Sequence, residues 1–437
     1  MGVVWHVNST ARGGGVAEII GALCQAGDPR YRTRRFVTSE DPALFEVTKR
    51  IHHRLHGVPA GELPDPAEHD AWCRYARENV KEFLTSADPN DLVVLHDPQT
   101  LPMAPLLAEA GVRLAWRCHI GTAGQNAVTA ATWDYLRQFW SEGLVLVFSS
   151  PALVPAFDHD HDHDRALDLD HALDLDHPVR IIRPSIDPGT LKNRPLSDDE
   201  VYKTLTDAGL GTRPISPALD SSVVTVSESD LGTDPVIVQV SRWDPLKDMA
   251  GVLEMFASSE LPSRAHLVLC GPSPQSISDD PEAAGVYAEV VRRRDRLVSA
   301  VRRRVHLVCP ALDDTRTNAL LVNALQRRAT VVVQKSLEEG FGLTVTEAMW
   351  KARPVVAARV GGIPSQIEHG VTGLLLDDPR DLDGFAAAVG DVVGDVVAHN
   401  AQYAQMGRNA HEFVDREMTS HREIREHTDL YRLLEGS

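Results

Sequence analysis

The sequence predicts an α/β protein built from two doubly wound halves, and three observations support this. Short β-branched runs alternate with helix-length amphipathic segments along nearly the whole chain, the pattern of parallel sheets with helices on both faces. Runs such as Val331–Val333 are apolar at every position, as strands covered on both sides must be. The chain has 437 residues, enough for more than one core, and its ten recognisable strands divide more economically between two sheets than one.

In the first half, strands are expected at Val3–Val7, Leu92–Leu95, Leu114–Ile120 and Leu144–Phe148, with helices at Ala17–Ala26 and Thr132–Trp140. In the second half they are expected at Val236–Val240, His266–Cys270, Val305–Val308, Thr330–Gln334, Val355–Ala358 and Gly373–Leu376. Helices there are expected at Val286–Ala300, Thr315–Arg328 and Leu343–Lys351. Two stretches interrupt the pattern. Residues 158–177 alternate His and Asp and then repeat Ala166–His171 as Ala172–His177. Residues 211–235 are rich in Ser, Thr, Pro and Asp. Both read as solvated insertions. The halves fall at 1–190 and 191–410. A last helical run, Ala401–Leu434, has no strand after it, so its end (411–437) is expected to pack back towards the first half.

Charge excludes some partners. The chain carries 44 Lys+Arg against 62 Asp+Glu, a net charge of −18. Such an excess argues against nucleic acid, whose phosphates need Lys/Arg surplus, and against an anionic membrane surface. Eight Asp and one Arg lie within 158–177, so that tract holds a large part of the imbalance. His and Asp are both metal ligands, and a metal-sensing tract is one reading of it. A solvated low-complexity loop is the other, because loose loops rarely fix a ligand geometry. No apolar run approaches the ~18 residues of a membrane span. The start, Met1–His6, lacks the basic and apolar regions of a signal peptide. The five cysteines form no Cys-x-x-Cys pair, so neither a disulfide framework nor a zinc site is expected. A cytoplasmic protein with no metal site follows.

The segment Gln334–Lys351 carries the strongest chemical signal. It runs from a strand end through Glu339-Gly340-Phe341-Gly342-Leu343 into a helix that contains Glu347. The glycines permit a tight turn and close backbone approach to a ligand. Amides and the dipole at the helix start favour an anion. Glu339 and Glu347 bracket the turn, as two carboxylates holding one polyhydroxyl ligand would. A second segment, Ser241–Asp248, places Arg242 and Lys247 just past a strand, where open α/β sheets bind ligands; two cations there suit a diphosphate. A third, Asn8–Glu18, sets Gly13, Gly14 and Gly15 before a helix, which is either a phosphate loop or a plain turn. His96-Asp97-Pro98-Gln99 and Trp116-Arg117-Cys118-His119 end two first-half strands on the same side. A lone histidine at a strand end is more often structural than catalytic.

Together these residues resemble the retaining glycosyltransferases of the GT-B fold, family 4, in which two Rossmann-like domains face a central cleft. Longer phrases are similar to trehalose synthases of the glycosyltransferring type: Trp5–Thr10, Phe45–Lys49, His96–Gln99, Trp116–Ile120, Pro184–Pro188, Val322–Arg327 and Val360–Pro364. The resemblance implies glucose transfer from a nucleoside diphosphate glucose (UDP-, ADP- or GDP-glucose) to glucose, giving trehalose with no further cofactor. It implies donor contacts from Gly14, Gly15, Arg242, Lys247, Glu339, Gly340, Phe341, Gly342, Leu343 and Glu347. Of these, Arg242 and Lys247 would hold the diphosphate, Glu339 the sugar hydroxyls and Glu347 the ribose. His119 would sit near the donor sugar, making it catalytic together with Arg242, Lys247 and Glu339. Asp97, Gln99 and Arg117 would face the acceptor.

One departure stands out. Ile120 is followed by Gly121-Thr122-Ala123-Gly124, where the family pattern has an acidic residue. Other acceptors (a cyclitol, an aminosugar, glycerate), a phosphorylase, and a nucleotide-sugar-binding protein without turnover therefore stay open, as does assembly into a homodimer.

Overall fold

In the computed structural model, the described residues are 2–10, 14–26, 28–122, 124, 126–155, 177–211, 223–259, 261, 263–273, 281–311, 313–398 and 400–436. All of the His/Asp tract except His177, and residues 212–222 of the second irregular stretch, lie outside them. The chain divides into two compact units, Met1–Ser185 with Ser420–Ser437, and Ile186–Thr419.

In the first unit the strands are β1 (Gly2–Asn8), β2 (Tyr31–Val37), β3 (Leu92–His96), β4 (Arg113–Cys118), β5 (Val145–Phe148) and β6 (Val179–Ile181). They form one parallel sheet in the order β2-β1-β3-β4-β5-β6. Sequence patterning misses β2 because it is a half-exposed edge strand reading Tyr-Arg-Thr-Arg-Arg-Phe-Val. It misses β6 because its three residues include an exposed arginine, Arg180.

Successive strand side chains point to opposite faces, and both faces are covered. Trp5, Val7, Val93, Leu95, Leu114 and Trp116 face a core that also holds Trp72, Phe83 and Trp133. Val4, Leu92, Val94, Ala115, Val145 and Val147 face the other way, onto Leu430, Tyr431 and Leu434 of the helix Ser420–Gly436. The end of the chain is thus the cover of the first sheet's second face.

In the second unit the strands are β7 (Val223–Val226), β8 (Val236–Val240), β9 (His266–Cys270), β10 (Val305–Pro310), β11 (Val331–Gln334), β12 (Val355–Ala358) and β13 (Leu374–Leu376). Their order is β13-β12-β11-β8-β9-β10-β7, parallel except for β7, which lies antiparallel on β10. β7 falls inside the stretch expected to be irregular; as an edge strand it leaves Val224 exposed. Val236, Val238 and Val240 enter one core and Ile237 another, while Val332 and Val331/Val333 divide the same way.

The final helical run is two helices, Gln402–Glu417 and Ser420–Gly436, rather than one. Between them Met418 accepts a backbone hydrogen bond from Ile186 (2.9 Å), and Thr419 bridges Ile186. The helix stops there because the backbone groups are committed to another segment. Each sheet also reverses its strand order once, between β1 and β3 and between β8 and β11. Ligand crevices of open α/β sheets lie at such reversals, beyond the strands' carboxyl ends.

The helix Ser420–Gly436 is tied down by charge as well as by apolar contact. Arg117, fully buried on β4, donates to Glu423 Oε1 (2.9 Å), His427 Nε2 (2.9 Å) and the Ile182 carbonyl (3.0 Å). Glu423 Oε2 accepts from the Ser185 amide (3.1 Å) and hydroxyl (2.7 Å). Removing one partner of a buried ion pair strands the other charge, at a cost of about 3–5 kcal/mol. Urea unfolding of Glu423→Leu should show a loss of that order, and Arg117→Met/Glu423→Leu should recover most of it.

Candidate active site

Beyond β8 and β11, at the reversal of the second sheet, several predicted residues come together. Lys247 follows β8 in a short turn, Pro245–Lys247, whose start is capped when Asp244 accepts from the Leu246 amide (2.8 Å). The next residue, Asp248, adopts a left-handed conformation (φ 45°) and caps the helix Met249–Ser258 through the Gly251 amide (2.9 Å). This geometry sends Lys247 Nζ to Glu339 Oε1 at 2.6 Å. Glu339 is held from its other side, where Oε2 accepts from Ser336 Oγ (3.1 Å) and Gln334 Nε2 (3.4 Å). Arg242 pairs with Asp244 (3.1 Å) and keeps about half of its side chain (48%) exposed.

The Glu339–Leu343 turn is fixed by backbone packing. Gly342 takes φ 88° as the N-cap of the helix Leu343–Trp350, a conformation few other residues adopt. Gly361, after β12, has φ 53°, and a Cβ there would overlap the Glu339 carbonyl oxygen. The Gly362 amide donates to the Gly340 carbonyl (2.9 Å), and Gln366 Nε2 donates to the Phe341 carbonyl. Phe341 is buried between these elements. The first amides of the helix, which no helical carbonyl can satisfy, therefore start beside Glu339.

Glu347 lies one turn inside that helix and is almost wholly buried. Its Oε1 pairs with Lys192 Nζ (3.0 Å), whereas its buried Oε2 has no partner among the described residues. Lys351 lies one turn on, donating to Asn193 Oδ1 (3.1 Å) and the Glu347 carbonyl (3.1 Å). Burial pulls its ammonium down to about 7, with Glu347 opposing the shift.

In the first unit, Asp97 and His119 come together beyond β3 and β4. Asp97 is the first residue after β3 and has φ 62°, a conformation its short polar side chain tolerates. Its Oδ1 accepts from the His119 amide (2.8 Å), and its carbonyl accepts from Trp116 Nε1 (2.9 Å). Burial pushes the Asp97 carboxyl up to about 7. Gln99 sits on the short helix Asp97–Thr100, its carbonyl accepting from Trp72 Nε1 (3.2 Å). Gly14 and Gly15 open the helix Gly14–Ala26 after β1.

Arg117 departs from the expectation of an acceptor contact. Its parity on β4 turns it onto the face covered by Ser420–Gly436, where its guanidinium is committed to Glu423, His427 and Ile182. Sequence reasoning also missed several groups that hold the site. Lys335, buried after β11, pairs with Asp248 and lies over the Phe385 ring (5.7 Å). Gln334 and Ser336 brace Glu339, and Lys192 meets Glu347 from a segment with no motif. His6 and His96 could have been found by strand parity, since both follow apolar residues by two on strands β1 and β3.

The chain matches known families over most of its length. Residues 6–155 match the family described as "Trehalose synthase, N-terminal domain", and residues 234–395 match "Glycosyl transferases group 1". The chain is 31% identical over 441 residues to the trehalose synthase of Rubrobacter xylanophilus, covering 99% of this chain and 91% of that protein. It is 27% identical to the trehalose phosphorylase of Pleurotus pulmonarius, across 89% of this chain and 52% of that longer protein. Among solved structures, the UDP-forming α,α-trehalose-phosphate synthase of Burkholderia vietnamiensis superposes with a TM-score of 0.66. That match has 15% identity and covers 99% of this chain and 97% of the other.

Two outcomes follow from the site's construction. Gly361→Ala adds both strain at positive φ and a clash with Glu339, so thermal unfolding should show a loss of about 1–3 kcal/mol. Asp97 binds an extra proton on folding between its ordinary 3.8 and about 7, so stability falls as pH rises through that window. Asp97→Asn keeps an acceptor for the His119 amide, and its melting temperature should fall less than the wild type's between pH 4 and pH 8.

Proposed function

The chain belongs to the trehalose synthase family of GT-B glycosyltransferases, and on that premise we propose that it transfers glucose from a nucleoside diphosphate glucose to glucose, with retention of configuration. The observation that carries the proposal is the Lys247–Glu339 contact (2.6 Å) at the reversal of the second sheet, beside a helix start. It joins a cation for a diphosphate and a carboxylate for sugar hydroxyls at one point.

The chemical difficulty is charge. As the bond from the anomeric carbon to the leaving oxygen breaks, the sugar becomes oxocarbenium-like and negative charge builds on the diphosphate. Lys247, Arg242 and the amides opening the helix Leu343–Trp350 stabilise that charge, being already in position. Glu339, braced by Gln334 and Ser336, orients the donor hydroxyls. Glu347 Oε2, buried and without a partner among the described residues, is the atom left for a ribose hydroxyl. His119 contacts the donor sugar, Gly14 and Gly15 approach the phosphates, and Asp97 and Gln99 face the acceptor. The acceptor hydroxyl attacks on the face the diphosphate leaves, and a leaving phosphate oxygen takes its proton. Five cysteines without disulfides support a reducing compartment, the cytosol.

Similarity to a trehalose phosphorylase favours one second reading, in which inorganic phosphate takes part in place of a nucleotide. A screen of UDP-, ADP- and GDP-glucose against glucose and other acceptors, with product identified by NMR, separates the two. Trehalose should form only with a nucleotide donor; phosphate dependence without nucleotide selects the phosphorylase. Lys247→Ala and Glu339→Ala should each lower kcat/KM by about 100-fold or more. Unchanged turnover in both would remove the site assignment.

A further inference from the structure

On the first sheet's second face, side-chain parity lines up polar groups among apolar ones. Val4 is followed by His6 on β1, Val94 by His96 on β3, and Ala115 by Arg117 and His119 along and beyond β4. The helix Ser420–Gly436 lays Tyr431 and His427 over this row. The result is a continuous chain of hydrogen bonds. Tyr431 OH meets His6 Nε2 (2.9 Å), His6 Nδ1 meets His96 Nε2 (2.8 Å), and His96 Nδ1 meets His119 Nε2 (2.9 Å). Consecutive rings are close, with His96 and His119 stacked at 5.2 Å. His119 Nδ1, the far end, has no partner among the described residues.

A neutral imidazole carries one proton, so each ring that accepts at one nitrogen must donate at the other. The direction of the whole chain is therefore set at either end. Tyr431 is buried, and among the described residues its hydroxyl has no acceptor but His6 Nε2. If the chain ran the other way, His6 would donate to the phenol oxygen and the Tyr431 proton would be buried without an acceptor. Burial holds all three histidines below the ordinary imidazole range, with neighbouring His427, Arg117 and one another adding to the shift. His427 itself is fixed separately: Arg117 can only donate to its Nε2, so its proton is on Nδ1, donating to the Glu423 carbonyl (2.9 Å).

We infer that Tyr431 is a positioning residue that, through His6 and His96, locks His119 as the Nδ1–H tautomer and so gives its free end a hydrogen-bond donor. The functional meaning rests on reading His119 as a donor-sugar contact: the ring then offers an N–H to a sugar oxygen and cannot act there as a base. The residue that decides this belongs to the last helix of the chain, far from any motif of the family.

Long-range proton–nitrogen NMR of the full chain labelled with ¹⁵N-histidine tests the inference, with signals assigned by His6→Gln, His96→Gln and His119→Gln. The wild type should show His6, His96 and His119 each protonated at Nδ1 alone. Protonation of His119 at Nε2 would falsify the relay whatever any variant does. In Tyr431→Phe the three rings should lose their single tautomer while His427 keeps its own, and kcat should fall roughly tenfold with little change in donor KM. Unchanged tautomers in Tyr431→Phe would also overturn it. If the wild-type tautomers are as stated but His119→Gln turns over normally, the relay stands and the donor-sugar reading of His119 fails.

Discussion

A parallel sheet covered on both faces must bury its side chains in two alternating layers, and any polar group in either layer must find a partner there. The first unit is organised around this constraint. One layer is apolar at its buried positions and meets helices from the same half of the chain. The other mixes Val4, Val94 and Ala115 with His6, His96 and Arg117, and needs a cover that is itself part apolar and part polar. The helix Ser420–Gly436 meets both needs, with Leu430 and Leu434 for the valines and Glu423, His427 and Tyr431 for the polar row. Arg117 is therefore a tie between the cover and the sheet, and His119, two residues further on, is where the polar row reaches the strand ends.

In the second unit, the cations near the strand ends are each matched by a carboxylate: Lys247 by Glu339, Arg242 by Asp244 and Lys335 by Asp248. This pairing keeps each side chain in a defined place. In the proposed reaction the diphosphate competes for cations already oriented, which lowers the cost of ordering them on binding. The turn that holds Glu339 owes its shape to backbone-to-backbone approach at Gly361 and Gly362, so its precision comes from the main chain rather than from side-chain packing.

The buried, mainly apolar strands were legible in the sequence; β8, β9 and β12 begin and end where expected. The edge strands β2 and β7 were not, because both are half solvated, β2 being rich in arginine and β7 lying within a stretch rich in Ser, Thr, Pro and Asp. Of the candidate site, Lys247 and Glu339 stood out because each sits at a strand-to-helix turn with an unusual local composition. Arg117 was misread because its position at a strand end says nothing about which face it takes; parity with Ala115 does. Lys192 and Tyr431 could not be read at all, since their partners lie 155 and 425 residues away in sequence respectively.

The chain leaves the first unit after Ser185 and returns to it at Ser420. During synthesis the ribosome therefore makes the whole second unit before it makes the helix that closes the first sheet. At about 5–20 residues per second, one face of that sheet, with its valines and histidines, waits tens of seconds for its cover. The second unit, by contrast, is contiguous and can complete itself as it emerges. The second unit can thus be complete while the first sheet still has one face uncovered.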